Sequence, residues 1–580
     1  VARAPTATLC SDAAIGNLSA TSAGKNLMAA RILFIAVASL ALAAALPPAP
    51  ARAAGDTLIV GLSQFPPDMN PDFVATDAKI YLLNIGQRPI AQYDIDGHVV
   101  CRLCTEVPTL ANGGVTVQAQ PDGTKQMETT WTLRPDLFWG DGVPVTTADA
   151  ALAFEVSKAI DPNNAMDRLD IVDAHTFRIH RRALHYDFDT EILPGSNYLL
   201  PAHIEAATFH AATSPLDYAQ HSAYDRAPET PGLWLGPYRV TGYNSASELT
   251  GEPNPYWRGK PVAYKRLVIR LVERTPALEA NLLSGDIDVM AELGLPLTQI
   301  VNLEKQHGDR FEVYYRTTGF VEHLAPALWL PPLNDRRVRQ AVLMGIDRAT
   351  IAAKLFDGHE DVAHALLGPN EPDYDPSVKR WNYDPAAARK LLADAGFHSG
   401  ADGILVGVDG ARLSIPMTTT AGNTLRELEE AVMQSQLKAI GVELVIKNEP
   451  ARTMFGQTLR QRAFTGFVMY SRTPAPGAVP WGFLGSRYIP TAENGYFGTN
   501  YQGYANPEMD AVLDAARQEL DPIRRKADWK RIHAMVAEDL PILPLFYYTL
   551  GYVQAKTMSG IIPPPLGASA SAWIEDWRPR

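Results

Sequence analysis

His359, Glu360 and His364 bring two imidazoles and a carboxylate close together along the chain, the ligand and base types of a zinc hydrolase. Zinc peptidases use His-Glu-x-x-His, because residues i and i+4 share one helix face. Here the second histidine comes at i+5, which turns it ~140° away at 3.6 residues per turn. Gly358 also stops the preceding helix. The spacing predicts solvated loop histidines, with an exported metallopeptidase as the alternative. His98, Cys101 and Cys104 form a denser cluster. A C-x-x-C pair serves as a redox couple, a metal site or a short disulfide. Glu106-Val107-Pro108 follows it and is poor ground for the helix start that a redox pair needs. The expectation is a disulfide between Cys101 and Cys104, or two buried thiols, with a metal site completed by His98 and redox chemistry left open. The sequence has no G-x-S-x-G, phosphate-binding loop or dinucleotide glycine fingerprint. We therefore assign no catalytic residue, no metal ligand and no cofactor.

Ligand recognition leaves a different trace, in loops that carry aromatic residues and arginine. Residues Phe464 to Leu484 hold Tyr470, Arg472 and Trp481, and Phe65 follows the first strand. Aromatic faces wall apolar pockets, and a guanidinium pairs with a carboxylate or another anionic group. The same rings serve equally well as core or hinge packing. Trp329, before Pro331-Pro332, is a further candidate.

These residues must be held by a large scaffold. A chain of 580 residues normally makes two or more packed units, and 46% hydrophobic content supplies an ample core. Forty-five prolines and 42 glycines argue against a helical bundle. A net charge of −12, with no Lys/Arg cluster, argues against nucleic-acid binding. Thr57–Gly61, the segment through Trp131 and Leu133, His175–His180, Leu267–Val272, Val442–Lys447 and Ile542–Tyr548 read as strands. Helices are predicted after caps at Thr146 or Thr147, Asp335, Asp347, Asp384, Asn506 and Asp521, and over Ala277–Ser284 and Leu425–Ile440. Gly285, Gly358, Gly396 and Gly441 mark stops. Strands and helices alternate from end to end without a repeat, so the class is α/β with mixed sheets.

The N-terminus reads as an address. Ile32–Leu46 is apolar, follows Lys25 and Arg31, and is too short to span a bilayer comfortably. Pro47, Pro48 and Pro50 break it, and Ala51-Arg52-Ala53 is a small-x-small cleavage site. This is the pattern of a secretory signal peptide within residues 1–53, with a mature chain from about Ala54. Removal takes away Arg3, Lys25, Arg31, Arg52 and Asp12, a net +3, and leaves roughly −15. No cysteine stands at the cleavage site, so a lipid anchor is not expected, and the compartment would be a bacterial periplasm. That compartment favours pairing of the two mature cysteines.

Several stretches match a family pattern in order. Asp335, Arg337, Val338, Arg339, Gln340, Ala341, Asp347 and Arg348 form one. Trp139, Asp141, Gly142, Pro144, Thr147, Ala148 and Asp149 form another. Gly236–Val240, Asn254–Trp257 and Ala277–Met290 follow suit. Together they resemble solute-binding family 5, the substrate-binding proteins of peptide-, nickel- and opine-type ABC importers, from about Thr57 to Tyr552. The resemblance implies a periplasmic binding protein type II clamshell, two lobes plus an extra subdomain. Lobe I would comprise 54–91, 180–273 and 545–580, the extra subdomain 92–179, and lobe II 274–544. The chain would cross between lobes near Leu271–Arg274 and return near Leu545–Tyr548. Also implied are capture of a peptide or peptide-like solute by hinge closure, delivery to ABC permease subunits in the inner membrane, and a monomer. An opine, a glycoside or a metal chelate are alternative solutes. In this family the segment matching Phe464–Leu484 crosses the cleft floor, which makes Tyr470, Arg472 and Trp481, with Phe65, the expected ligand contacts. Oligopeptide and dipeptide binders place an Asp there for the peptide's amino terminus. This sequence has no acidic residue between Phe464 and Ala492. A buried ammonium needs a partner charge. Either the amine is held elsewhere, or the ligand has no free amino terminus and Arg472 meets an anionic group instead.

Overall fold

The apolar run Thr57–Leu62 is buried along nearly its whole length, as a strand covered on both faces must be. It is β1 of a sheet of eleven strands: β1 (Thr57–Leu62), β2 (Tyr238–Asn244), β3 (Glu248–Pro253), β4 (Arg266–Leu271), β5 (Val289–Met290), β6 (Phe311–Pro326), β7 (Asp361–Val362), β8 (Ser414–Thr418), β9 (Glu443–Ile446), β10 (Phe467–Arg472) and β11 (Leu543–Ala555). The structure, a computed structural model, describes residues 55–580 except 67, 74–75, 162–165, 194–196, 291, 372, 473–478, 495, 497 and 564–568. The expected leader, residues 1–53, lies outside the described residues.

The spatial order is β9-β8-β10-β6-β11-β5-β1-β4-β3-β2, with β7 beside β11. β1 runs parallel to β4 and β5, β8 runs parallel to β9 and β10, and the other pairings are antiparallel. Two long strands join the halves. The first part of β6, Phe311–Thr317, pairs with Thr549–Ala555 of β11, and its second part, Val321–Leu324, pairs with Leu543–Tyr547. The register breaks between Thr317 and Val321 and again between Glu322 and His323. Such bulges bend a strand pair and turn side chains out of the sheet.

Each half has its own core. Leu58, Val60, Trp131, Trp139, Trp234 and Trp577 lie in one cluster, which also covers the four-stranded sheet Val115–Ala119, Lys125–Thr132, Thr176–Arg181, Met166–Ile171. Val338, Ala341, Ile351, Leu437, Phe467 and Leu543 lie in the other. This is the two-lobed α/β clamshell with mixed sheets. The helices Thr275–Ser284 and Leu297–His307 contribute Leu278, Leu282, Ile300 and Leu303 to a cluster with Ile59 and Val268. Leu278, Leu282, Ile300 and Leu303 thus pack beside the N-terminal strands, while Leu297 and Val301 of the second helix pack with the other core. The passage between cores is made by β6, whose polar run Tyr314–Gly319 lacks strand alternation and stood outside the expected strands.

Local chemistry sets the helix ends. Asp384, Asn506 and Asp521 accept backbone N–H groups ahead of Pro385, Pro507 and Pro522, and Gly285 closes its helix at φ 85°. Thr146 and Asp149 form a capping box. The helix after Asp347 ends at Leu355, short of Gly358.

Candidate functional site

Where the register of β6 breaks, a cavity of 1080 Å³ opens between the two cores. From the first core come Asp77 and Ile80 of the helix Asp77–Gly86, Glu292, Leu293, Tyr552 and Ser569. The crossing strands supply Thr318, Phe320, Glu322, Tyr548 and Leu550. The second core supplies Phe356, Glu360, the loop Thr420–Asn423, Arg426, Glu429 and Ser471. Aromatic faces therefore stand among carboxylates. Phe320 and Tyr548 have ring centroids 6.3 Å apart.

Among the described residues, the lining holds five carboxylates, one arginine, no lysine and no histidine. Arg426 is committed to Glu322: Nε donates to Oε1 at 2.7 Å and Nη2 to Oε2 at 2.9 Å. Its remaining N–H groups reach Thr420 Oγ1 at 3.2 Å and Ser471 Oγ at 3.3 Å. Glu429 is 3% exposed, and its Oε2 has no hydrogen-bond partner among the described residues. Burial, then the charges of Glu322 and Glu360, push its carboxyl well above the usual range. Glu360 is pushed up to about 8 by burial and by Glu322, against a backbone hydrogen bond from Thr549. Across the cavity, burial takes Glu292 up to about 7, against hydrogen bonds from Ser569 and the Ala570 N–H, while Asp77 adds to the rise. Burial raises Asp77 as well.

The four residues expected to touch ligand sit elsewhere. Tyr470, Ser471 and Arg472 are consecutive on β10, so alternation points Ser471 to the cavity and its neighbours to the other face. There Tyr470 packs its ring 4.4 Å from that of His323, and the Arg472 guanidinium lies 3.8 Å over Phe483. Burial holds Arg472 down to about 10 and His323 down to about 3. Trp481 packs against Tyr488 with rings tilted by 60° and lies under the Arg517 guanidinium at 4.5 Å. Phe65 lies parallel to Tyr243, with centroids 6.1 Å apart. Tyr470 and Arg472 share the surroundings of His323 and Phe483, while Phe65 is separate.

The metal-type motifs also resolve. Cys101 and Cys104 form a disulfide, with Cα atoms 5.1 Å apart, and His98 stands instead beside Asp94 and Asp96. His359 is stacked at 3.8 Å on Tyr315, and His364 is half-buried and held down to about 4 by burial, so neither is the solvated loop residue expected. The potential ligand atoms of His359, Glu360 and His364 do not all lie within 4.8 Å of one another. The second three-ligand group, His185, Asp187 and Glu191, is already engaged, because His185 meets Asp187 through Nδ1 and Arg517 through Nε2. Sequence reasoning missed Asp77, Glu292, Glu322, Arg426 and Glu429. Only Glu360 carried a signal, and that was for different chemistry.

The family described as bacterial extracellular solute-binding proteins, family 5 (middle), matches residues 118–494. The chain belongs to that family. It is 27% identical over 442 residues to protein XP55 of Streptomyces lividans, covering 74% of this chain and 75% of that protein. It is 22% identical over 541 residues to the probable D,D-dipeptide-binding periplasmic protein DdpA of Escherichia coli, covering 91% and 95%. Among solved structures, the oligopeptide-binding protein of Thermus thermophilus, complexed with a pentapeptide, superposes with a TM-score of 0.71 at 27% identity, covering 90% of this chain and 96% of that one.

Proposed function

We propose that this protein is the substrate-binding component of an ABC importer in a bacterial periplasm, which takes a peptide or peptide-like solute into the 1080 Å³ cavity and delivers it to the permease. The carrying observation is the position of that cavity. It is walled by both cores and floored by the two strands that join them, so closing about Thr317–Val321 would bring both walls onto a solute. Open and closed forms of such a molecule differ by a few kcal/mol, and contacts made only on closure shift the population. Ser471 and the loop Thr420–Asn423 face the solute, and Tyr470 and Arg472 brace β10 from behind. The lobe boundary falls in β6 and β11 on this reading, and ATP is spent by the permease's partner subunits. The D,D-dipeptide- and pentapeptide-binding relatives support a peptide, and a nickel-binding relative of Escherichia coli at the same 22% identity as DdpA keeps a metal chelate as the alternative. Two of the relatives named are binding proteins, which favours binding over peptidase chemistry at Glu360. No helix among the described residues is long and apolar enough to cross a membrane.

The test is thermal unfolding of protein refolded without ligand, against peptides, sugars, opines and metal chelates. A ligand that binds only the native state raises the midpoint by mass action. A rise with one chemical class is the expected result. Turnover of a peptide substrate with no rise for any class would overturn the reading.

A further inference from the structure

Among the described residues, the cavity's charge does not balance. On the wall of the second core, Glu322, Glu360 and Glu429 face one guanidinium, and Arg426 already spends both ends of its fork on Glu322. On the opposite wall, Asp77 and Glu292 have no basic residue beside them in the lining among the described residues. A buried carboxylate without a partner charge is costly, so such groups are retained where a cation completes them. Glu429 supplies an independent sign: it is 3% exposed, it lines the cavity, and its Oε2 has no hydrogen-bond partner among the described residues. One oxygen of Glu292 is likewise buried and unpartnered.

The acids are not arranged to enclose a bare metal ion with three carboxylates. Among the described residues, no three of these carboxylates bring one oxygen each within 4.8 Å of one another, so they do not converge on a point charge. They are spread over two walls, with Phe320, Phe356, Tyr548 and Tyr552 between them. Separated anionic ends with aromatic faces suit an extended organic molecule whose positive groups stand apart, since aromatic faces also attract cations. This deepens, and rests on, the reading of the cavity as a solute site.

We infer that the cavity selects an organic solute with at least two separated cationic nitrogens, one seated against Glu360 and Glu429 and the other against Asp77 and Glu292. A linear polyamine and a basic peptide share that chemistry. The absence of an acid between Phe464 and Ala492 fits, because the cationic ends are held by carboxylates elsewhere. Burial pushes Glu360 and Glu292 up to about 8 and about 7, so near pH 6.5 they hold protons that a bound cation displaces. The groups around Glu360 are Glu322, Glu429, Arg426 and Tyr548, and those around Glu292 are Asp77, Tyr81, Tyr552 and Ser569. Binding should therefore release protons at pH 6.5 and tighten as pH rises toward 8.5.

Titration calorimetry of the whole chain with spermidine, trilysine, trialanine and triglutamate, in buffers of different ionisation enthalpy, tests this. The expected result is that spermidine or trilysine binds at least tenfold more tightly than trialanine, with proton release, and triglutamate does not bind. Which of the two binds tighter identifies the source. Glu429→Gln and Glu360→Gln should each weaken that binding about tenfold, with thermal unfolding confirming that the variants fold. Equal or tighter binding of trialanine or triglutamate would overturn the inference and leave solute binding standing. Wild-type affinity in both variants would overturn it too. No binding by any probe, with no midpoint rise across the wider solute classes, would sink both readings.

Discussion

Arg426 and Glu322 form a two-pronged pair, with side chains 13% and 6% exposed, in a wall that also carries Glu360 and Glu429. Pairs of this kind add little over an apolar substitute, but removing one partner strands the other charge. Arg426→Met should therefore lower stability by about 3–5 kcal/mol, because it leaves Glu322 facing two further acids. Adding Glu322→Gln to Arg426→Met should recover most of that loss, since no stranded charge remains. Urea unfolding of the two single variants and the double variant closes the cycle. A double variant as unstable as Arg426→Met alone would show that the arginine acts by packing. Glu360 teaches a related lesson. Its neighbours in sequence suggested metal chemistry, yet its neighbours in space are carboxylates, and they decide what it does.

At the scale of elements, the helix Thr424–Ala439 presents Arg426 and Glu429, three residues apart on one face, toward the cavity, and Asn423 caps it. The strand beside it, β10, reaches its place only because Gly466 precedes it. A Cβ at Gly466 would sit 1.9 Å from the Pro416 carbonyl oxygen of β8, and backbone has no rotamer with which to yield. Gly466→Ala should cost about 3 kcal/mol, the upper end for overpacking, and loosen Ser471 at the cavity wall. Hydrogen exchange of β8 and β10 amides, together with the unfolding midpoint, measures both effects, and an unchanged midpoint would refute the tight approach. Much at this scale was legible in the sequence. Asp384, Asn506 and Asp521 ahead of proline, and glycine at 285 and 441, mark their helix ends because caps and stops act within a few residues. The motif at Asp335–Arg348 was legible too, although its arginines proved structural. Arg339 donates to carbonyls at the end of the helix Pro522–Asp539, and Arg348 to those of Ala363 and Pro544. The cavity was not legible. Asp77, Glu292, Glu322, Glu360 and Glu429 lie on separate elements, and only the pairing of β6 with β11 brings them together. Tyr470 and Arg472 were one residue out of phase, and on a strand one residue is the other face.

For the whole molecule, buried acids and buried histidines pull stability in opposite directions with pH. His323, His364 and His533 are held down to about 3, 4 and 4 by burial, from an ordinary 6.5. The unfolded chain takes up protons there that the folded chain refuses, so their contribution is present above 6.5 and is lost as pH falls toward 4. Glu292 and Glu360 are raised from 4.5 to about 7 and about 8. The folded chain keeps protons that the unfolded chain gives up, so their contribution is present below 4.5 and drains away as pH climbs through 7 and 8. Between 4.5 and 6.5 the two sets oppose each other, and burial raises Asp189, to about 6, and Glu429 on the side of the acids. Above 6.5 the histidines are neutral in both states, and the acids alone slope the curve. The ligand-free protein should therefore lose a few kcal/mol between about pH 6.5 and about pH 9. Glu360→Gln has no proton to surrender and should flatten the alkaline limb, and it should also remove the share of the slope that Glu360 contributes between 4.5 and 6.5. Thermal unfolding at intervals from pH 4 to 9, on wild type and this variant, reads both limbs. An alkaline limb that stays level in wild type would mean that the cavity acids are ionised in the empty protein. A sloping limb would also make a bound cation raise the midpoint more at pH 8.5 than at pH 6, because it replaces the protons those acids lose.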